Sequence, residues 1–316
     1  MTYVTLDRSL KNGFIKGPFS VLETSIHAKQ TNQERFTKSW LNKPMTFYKD
    51  PIKLRTACRN GGYAGPTSGH AHGYVQANMV ILPKEDADDF HLFCEQNPKP
   101  CPILEVLEAG DPEPKICAPG ADIRTDLSRY RVFRVGKPTG DVTDISELWR
   151  DDLVTFLLGC SFTAEEALID AGLEPRHIKE TGIVPMFRTN KPTRGVGKFS
   201  GPFVVSMRPY TPDDAQRASD VTAKYPIAHG APIQIGNAMS LGIKDIKQPD
   251  YGEPVTIEDG EVPVFWACGV TPQEVIMEAK PYFAITHVPG YMFVSDMKSE
   301  EVVPVQNRKL AENLGH

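Results

Sequence analysis

No apolar run in this 316-residue chain approaches the ~20 residues that a membrane-spanning helix needs. Basic clusters interleaved with aromatics, the footprint of a nucleic-acid surface, are also missing, and the formal net charge is −5. Neither a membrane nor nucleic acid is therefore expected as a partner. The opening segment, MTYVTLDRSLKNGFIKG, has no apolar core of the kind a secretory leader carries. Asp7 and Glu23 interrupt any basic face that a mitochondrial leader would use, so the cytoplasm is expected ahead of the mitochondrial matrix. Six cysteines, at 58, 94, 101, 117, 160 and 268, make no C-x-x-C pair and no zinc-like spacing. That suits reduced thiols in a cytosol-like compartment. No Walker loop is present either: GVGKFS at 195–200 has Pro192 where the first glycine belongs.

What the chain does have is the composition of an ordinary globular protein, 40% hydrophobic, with length enough for two lobes. KDPIKLRTACRNGG reads as a helix with Pro51 in its first turn. GYVQANMVILP reads as a buried strand, and KEDADDFHLFCEQ as an amphipathic helix that stops before Asn97-Pro98. A proline-rich stretch follows, with one short strand, PILEV. RYRVFRVG is a strand, and SELWRDDLVTFLLG reads as a helix ended by Gly159. Further strands (GPFVVSMRP, APIQIG, VPVFWAC, YFAITHVPG) are separated by helices over TPDDAQRASDVTAKY and TPQEVIMEAK. The alternation predicts an α/β protein of two lobes. The main one is a three-layer α/β lobe with a mixed sheet, from residues 46–129 and 231–300; a smaller α+β lobe takes 130–230. Residues 1–45 read as an arm and 301–316 as a tail.

Three stretches could carry chemistry. Cys160 and Cys268 are each followed by threonine three residues later and glutamate three after that: Thr163 and Glu166, Thr271 and Glu274. This capping-box spacing predicts helices starting at the threonines, with each sulfur just outside a helix N-terminus where an anion is favoured. Over 155–171 and 263–279 only Cys, Thr, Glu and a terminal Ala agree, so an internal repeat is the weaker reading beside that of two small buried thiols. The second stretch, GPTSGHAHGYVQAN, repeats glycine at 65, 69 and 73 and could bring backbone N–H groups, with Gly69, Tyr74 and Asn78, toward an anion. Its His70 and His72 form an H-x-H pair with no third metal ligand evident nearby. The third is a set of polar groups at strand ends: Arg188, Thr189 and Asn190, Arg208, His229 and His287. Arginine there suits capture of a carboxylate, and histidine suits proton transfer.

The stretches GPTSGHAHGYVQANMVILP, NPKPCPILEV, PGADIRTDLSRYRV, LWRDDLVTFLLGCSFTAEEAL, VPMFRTN, GPFVVSMRP, HGAPIQIG, VPVFWACGVTPQ and FAITHVPGYMF resemble the D-glutamate cyclase family over about residues 50–296. The resemblance implies a two-part α/β fold, no cofactor, and conversion of D-glutamate to 5-oxo-D-proline with release of water. It carries no catalytic assignment, so roles rest on chemistry alone. His70–Ala71–His72 departs from the family's usual pattern, which speaks against a metal there and leaves the substrate open. Such a cyclisation needs a base for the α-amine, an acid and oxyanion donors for the γ-carboxyl, and an anchor for the α-carboxylate. Arg208 or Arg188 with Asn190 would anchor a carboxylate, and His287 or His229 would move protons. Ser161 and Gly269, at the helix starts, would bind developing charge, and Cys268 or Cys160 could act covalently or line the pocket. The expected partner is a small dicarboxylate or amino acid, with a homodimer as an open assembly. Two other classes compete: a thiol-dependent racemase or epimerase, and a non-catalytic binder of a carboxylate metabolite.

Overall fold

The computed structural model describes residues 47–300; the expected arm and tail lie outside the described residues. Two antiparallel sheets organise this part of the chain. The larger has seven strands in the order β2 (Ile103–Val106), β5 (Leu153–Gly159), β1 (Tyr74–Pro83), β10 (Phe283–His287), β3 (Tyr130–Arg134), β4 (Lys137–Val142). β11 (Phe293–Lys298) joins it beside the start of β1. The smaller runs β6 (Met186–Pro192), β7 (Pro202–Tyr210), β9 (Val262–Ala267), β8 (Gln234–Ile235). The helices that matter below are α1 (Pro51–Arg59), α2 (Lys84–Gln96), α3 (Phe162–Asp170), α4 (Pro212–Thr222) and α5 (Thr271–Ala279).

The α/β character and the two-part organisation are as the sequence predicts. Several particulars differ. Every strand pairing is antiparallel, where a mixed sheet was expected. Residues 153–159, expected to be helical, form β5, which pairs with β1 over seven successive residues. LVTFLLG is buried at every position, and a short run apolar on both faces has no period that separates strand from helix. The strands of 130–159, expected in the smaller lobe, lie in the larger sheet, and β8 and β9, expected in the main lobe, lie in the smaller one.

The larger sheet is covered on both faces. On one, Met79, Ile81, Leu157, Ile285 and Phe293 pack against Leu107, Cys117, Ala121 and Ile123 of the proline-rich segment. On the other, Val80, Leu82, Phe156 and Ala284 meet Phe90 and Phe93 of α2 together with Val275 and Ile276 of α5. Reciprocally, Leu168 of α3, the helix that follows β5, packs with Val264, Trp266 and Tyr210 of the smaller sheet and Ala215 and Ala218 of α4. Each sheet thus ends one strand in a cysteine and sends the following helix against the other sheet.

Local sequence explains how these junctions form. Thr163 and Thr271 are not N-caps; they sit inside the first turns of α3 and α5. Their hydroxyls accept backbone N–H groups of the neighbouring strands instead, Gln76 to Thr163 at 3.3 Å and Val204 to Thr271 at 3.1 Å. In register the two are equivalent: Ala77 pairs with Gly159 and Val205 with Ala267, each one residue past the N–H that is capped. The capping boxes do not close, because Glu166 accepts the Gly73 N–H and Glu274 is held by Arg188. The local repeat around the cysteines is therefore structural, with strand before both, although so few residues match.

Candidate active site at the strand–cysteine–helix junctions

A cleft opens where these two junctions meet, with about 380 Å³ of space between its atoms when its open mouth is included. Its lining comes from both sheets: Asn78 of β1, Cys160 to Phe162, Ile183, Val184 and Met186, His229, Cys268 to Val270, His287, and Pro289, Gly290 and Met292 of the β10–β11 connection. Seven of the residues singled out in the sequence meet here, namely Asn78, Cys160, Ser161, His229, Cys268, Gly269 and His287.

The larger sheet splits at the cleft. β1 pairs with β11 through Ala77 and with β10 from Val80, so its edge is unpaired between them. The Met79 N–H, left without a ladder partner, donates to Nδ1 of His287 at 3.1 Å. The backbone carbonyl of His287 accepts from the Gln273 side chain of α5 at 3.1 Å. On the opposite wall, His229 ends a short 3-10 turn in the left-handed conformation, with φ 74°. Its Nδ1 lies 2.8 Å from the Lys99 carbonyl, and its buried Nε2 has no partner. That turn is pressed against β5: a Cβ on Gly159 would fall 1.6 Å from the Ile227 carbonyl oxygen, so only glycine fits.

Burial governs the titration of the cleft. It pushes the Cys160 thiol up to about 12 and the Cys268 thiol up to about 11, although Phe162 and Val270 N–H groups at the helix starts favour the thiolates. Thiols rather than thiolates are thus the resting forms: desolvation outweighs the dipole. Burial likewise pulls both His229 and His287 down to about 4, leaving neutral imidazoles at pH 7. With both imidazoles and both thiols neutral, positive potential comes from the first-turn N–H groups of α3 and α5.

Asn78 fixes the floor. Its Nδ2 donates to the Gly159 carbonyl at 2.6 Å, and Gly269 lies flat against the amide. A Cβ on Gly269 would come within 2.0 Å of that nitrogen. Gly269→Ala should therefore expel the Asn78 amide, costing ~1–3 kcal/mol of stability through the lost buried hydrogen bond and abolishing ligand binding. Thermal unfolding and calorimetric titration would check both.

Five expected site residues lie outside the cleft. Arg208 is fully buried behind it, in an adjoining cavity of about 200 Å³ that Ser161 shares. Its guanidinium is bound to Glu165, to Ser206 Oγ at 3.0 Å and to Ser161 Oγ at 3.2 Å, and stacks over Trp266. Its charge is met by Glu165, while its buried Nε has no partner. Arg188 is half exposed, its Nε 2.8 Å from Glu274, and Asn190 points outward on β6. Gly69 is an exposed turn glycine with φ 77°, and Tyr74 carries the Lys298 ammonium over its ring.

The glycine-rich turn acts as a brace. Thr67 N–H donates to the Gly290 carbonyl at 2.9 Å and Thr67 Oγ1 accepts from Met292 N–H at 2.9 Å, which holds the β10–β11 connection in place. His70 is engaged through both ring nitrogens, with Tyr48 N–H and the Tyr63 hydroxyl, while His72 is exposed.

Sequence reasoning missed Glu165 and His177. Burial raises the Glu165 carboxyl, but His177, 3.3 Å away, and Arg208 outweigh it and hold the group well below the usual range. The available signal was helical spacing: Ser161, Glu165 and Leu168 share one face of α3. The motifs flagged there pointed to Glu166 instead.

The D-glutamate cyclase family matches residues 154–296, a span that takes in both cysteines and both cleft histidines. A protein of Geobacillus kaustophilus named "Putative hydro-lyase" is 56% identical over 250 residues, 79% of this chain and 95% of that protein. One of the same name from Stutzerimonas stutzeri is 51% identical over 260 residues, 82% of this chain and 98% of its own. The chain belongs to the D-glutamate cyclase family. Membership places it among lyases of the hydro-lyase type. A third relative, from Rubrobacter xylanophilus and again named "Putative hydro-lyase", is 54% identical over 249 residues, 79% of this chain and 96% of its own. Among solved structures, a nitrogen repressor-like protein from Methanococcus jannaschii is similar at a TM-score of 0.32 and 11% identity over 74% of this chain and 90% of that one, too loose a match to bear on the fold. No helix among the described residues is long and apolar enough to cross a membrane.

Proposed function

We propose that the cleft cyclises a small amino dicarboxylate, D-glutamate to 5-oxo-D-proline, with loss of one water. The observation that carries this reading is the convergence of two helix N-termini, two neutral imidazoles and the Asn78 amide on one cleft of a lyase-family chain. The first turns of α3 and α5 would hold the two carboxylates in place of the arginines, so that the substrate folds back on itself. The imidazoles would handle the ammonium and the leaving oxygen. We place the reaction in a reducing, cytoplasmic compartment, in keeping with the six unpaired cysteines, all of them buried. Incubation with D-glutamate should yield a product lighter by one water in mass spectra, and L-glutamate and longer diacids should not. Absence of that product across the panel would refute the reading.

A second reading is favoured by one observation: Cys160 and Cys268 both line the cleft, as the two acid–base thiols of an epimerase would. Against it stand thiols pushed up to about 12 and about 11. Solvent deuterium at Cα of recovered substrate would decide for it, since cyclisation leaves that hydrogen in place. A Cys268→Ala variant that turns over normally would rule out both this and a thioester route.

A further inference from the structure

The two histidines of the cleft are held in opposite tautomers, and we propose that they divide the proton chemistry: His229 accepts protons at Nε2 while His287 donates a hydrogen bond from Nε2–H. The inference rests on the cyclisation reading above and deepens it. A carbonyl can only accept, so Nδ1 of His229, 2.8 Å from the Lys99 oxygen, carries the proton. Its Nε2 is then a bare lone pair, buried at the cleft with no partner. A backbone N–H can only donate, so Nδ1 of His287, 3.1 Å from the Met79 nitrogen, is the bare one and the proton sits on Nε2. The Met79 carbonyl lies farther from the same ring nitrogen, at 3.4 Å. Neither ring can turn freely. The first is held by the Lys99 carbonyl and the second by the Met79 N–H. The charged groups that bear on them are Arg208 and Lys99 for His229 and Arg131 for His287, all cationic, which keeps both rings neutral together with burial.

The substrate ammonium gives a proton to Nε2 of His229, and the freed amine attacks the γ-carboxyl carbon, forming the N–C bond. His229 passes that proton to one carboxyl oxygen, takes a second from the now cationic nitrogen and delivers it to the same oxygen. The C–O bond breaks and water leaves, both of its hydrogens having come from the ammonium. The other oxygen carries the developing negative charge, accepts the hydrogen bond from His287 Nε2–H and becomes the lactam carbonyl.

Nitrogen-15 NMR of histidine-labelled protein without substrate tests the tautomers directly, with His229→Gln and His287→Gln used to assign signals. At pH 7–8 the expected result is a protonated Nδ1 and bare Nε2 for His229, and the reverse for His287. One shared tautomer, or an imidazolium at either position, overturns the proposal. In turnover, His229→Gln and His229→Leu should both lose about 10²–10⁴-fold in kcat, because neither side chain shuttles a proton. His287→Gln, which retains an N–H donor, should keep at least tenfold more activity than His287→Leu; equal losses overturn the donor role. If opposite tautomers are found but no water is lost from D-glutamate, the reaction assigned above fails, and with it the roles in that reaction, while the tautomer assignment stands.

Discussion

Glu165→Gln is expected to lower unfolding stability by ~3–5 kcal/mol, the range for removing one partner of a buried ion pair. The carboxylate is fully enclosed, bound to Arg208 and 3.3 Å from His177, and Arg208 is itself among the largest side chains wholly out of solvent. Glutamine leaves a guanidinium without its counter-charge in a low-dielectric site, where Ser161 and Ser206 supply only hydroxyl oxygens. The loss should be read from the denaturant midpoint at unchanged slope. A double variant, Glu165→Leu with Arg208→Met, should recover most of it, since no charge is then stranded. If the single variant costs less than about 1 kcal/mol, the pair does not hold this corner together.

The second large effect is on acid stability. Both cleft histidines have folded pKa values near 4 against 6.5 for the free side chain. The unfolded chain therefore binds protons that the folded one refuses, and stability rises with pH through this window. The contribution is complete above about pH 6.5 and is lost as pH falls toward 4. At pH 5 each histidine should have cost about 2 kcal/mol relative to pH 8, so the pair removes on the order of 4. His70, also shifted down by burial, adds in the same direction. Glu165, whose folded pKa is depressed, withdraws its share only below about 4.5, while Glu166 and Glu274, raised by burial, act in the opposite sense above that pH, so the histidine contribution is read as the difference between wild type and variant. Urea unfolding of the wild type and of a His229→Asn/His287→Asn variant across this range would check it. The variant should give the flatter profile, and parallel profiles would contradict the neutral-imidazole picture.

How far the sequence reaches depends on whether the signal is local. α1 is legible in full: Asp50 caps it through the Ile52 and Lys53 N–H groups, and Pro51 opens it. β1 is legible because a run that is apolar but for Gln76 and Asn78, between Gly73 and Pro83, leaves little else to form. β5 is not, since burial on both faces erases the alternation that marks a strand. The partition into sheets is hidden for another reason. β1 takes its partners from Leu153–Gly159 and Phe283–His287, and such distant pairing leaves no mark on either segment.

The site follows the same rule. Cys160 and Cys268 were visible through a spacing shared by two segments, and His229 and His287 through their positions at strand or turn ends. Arg208 was visible as a strand-end cation but not as a committed one, because nothing in GPFVVSMRP reveals that a carboxylate from α3 faces it. The helix dipole beside each thiol is legible because it is a local property; the desolvation that keeps the thiols protonated is not local and is hidden.

The exchange of helices between the sheets has a consequence for how the protein comes apart. α5 leaves the small sheet and seals a face of the large one, while α3 leaves the large sheet and seals the small one. Excising either half of the described residues would strip the other of its cover, so the expected behaviour is that separate halves do not fold and that the two sheets unfold together. The same interlock anchors the two sulfur-bearing corners to each other's foundations.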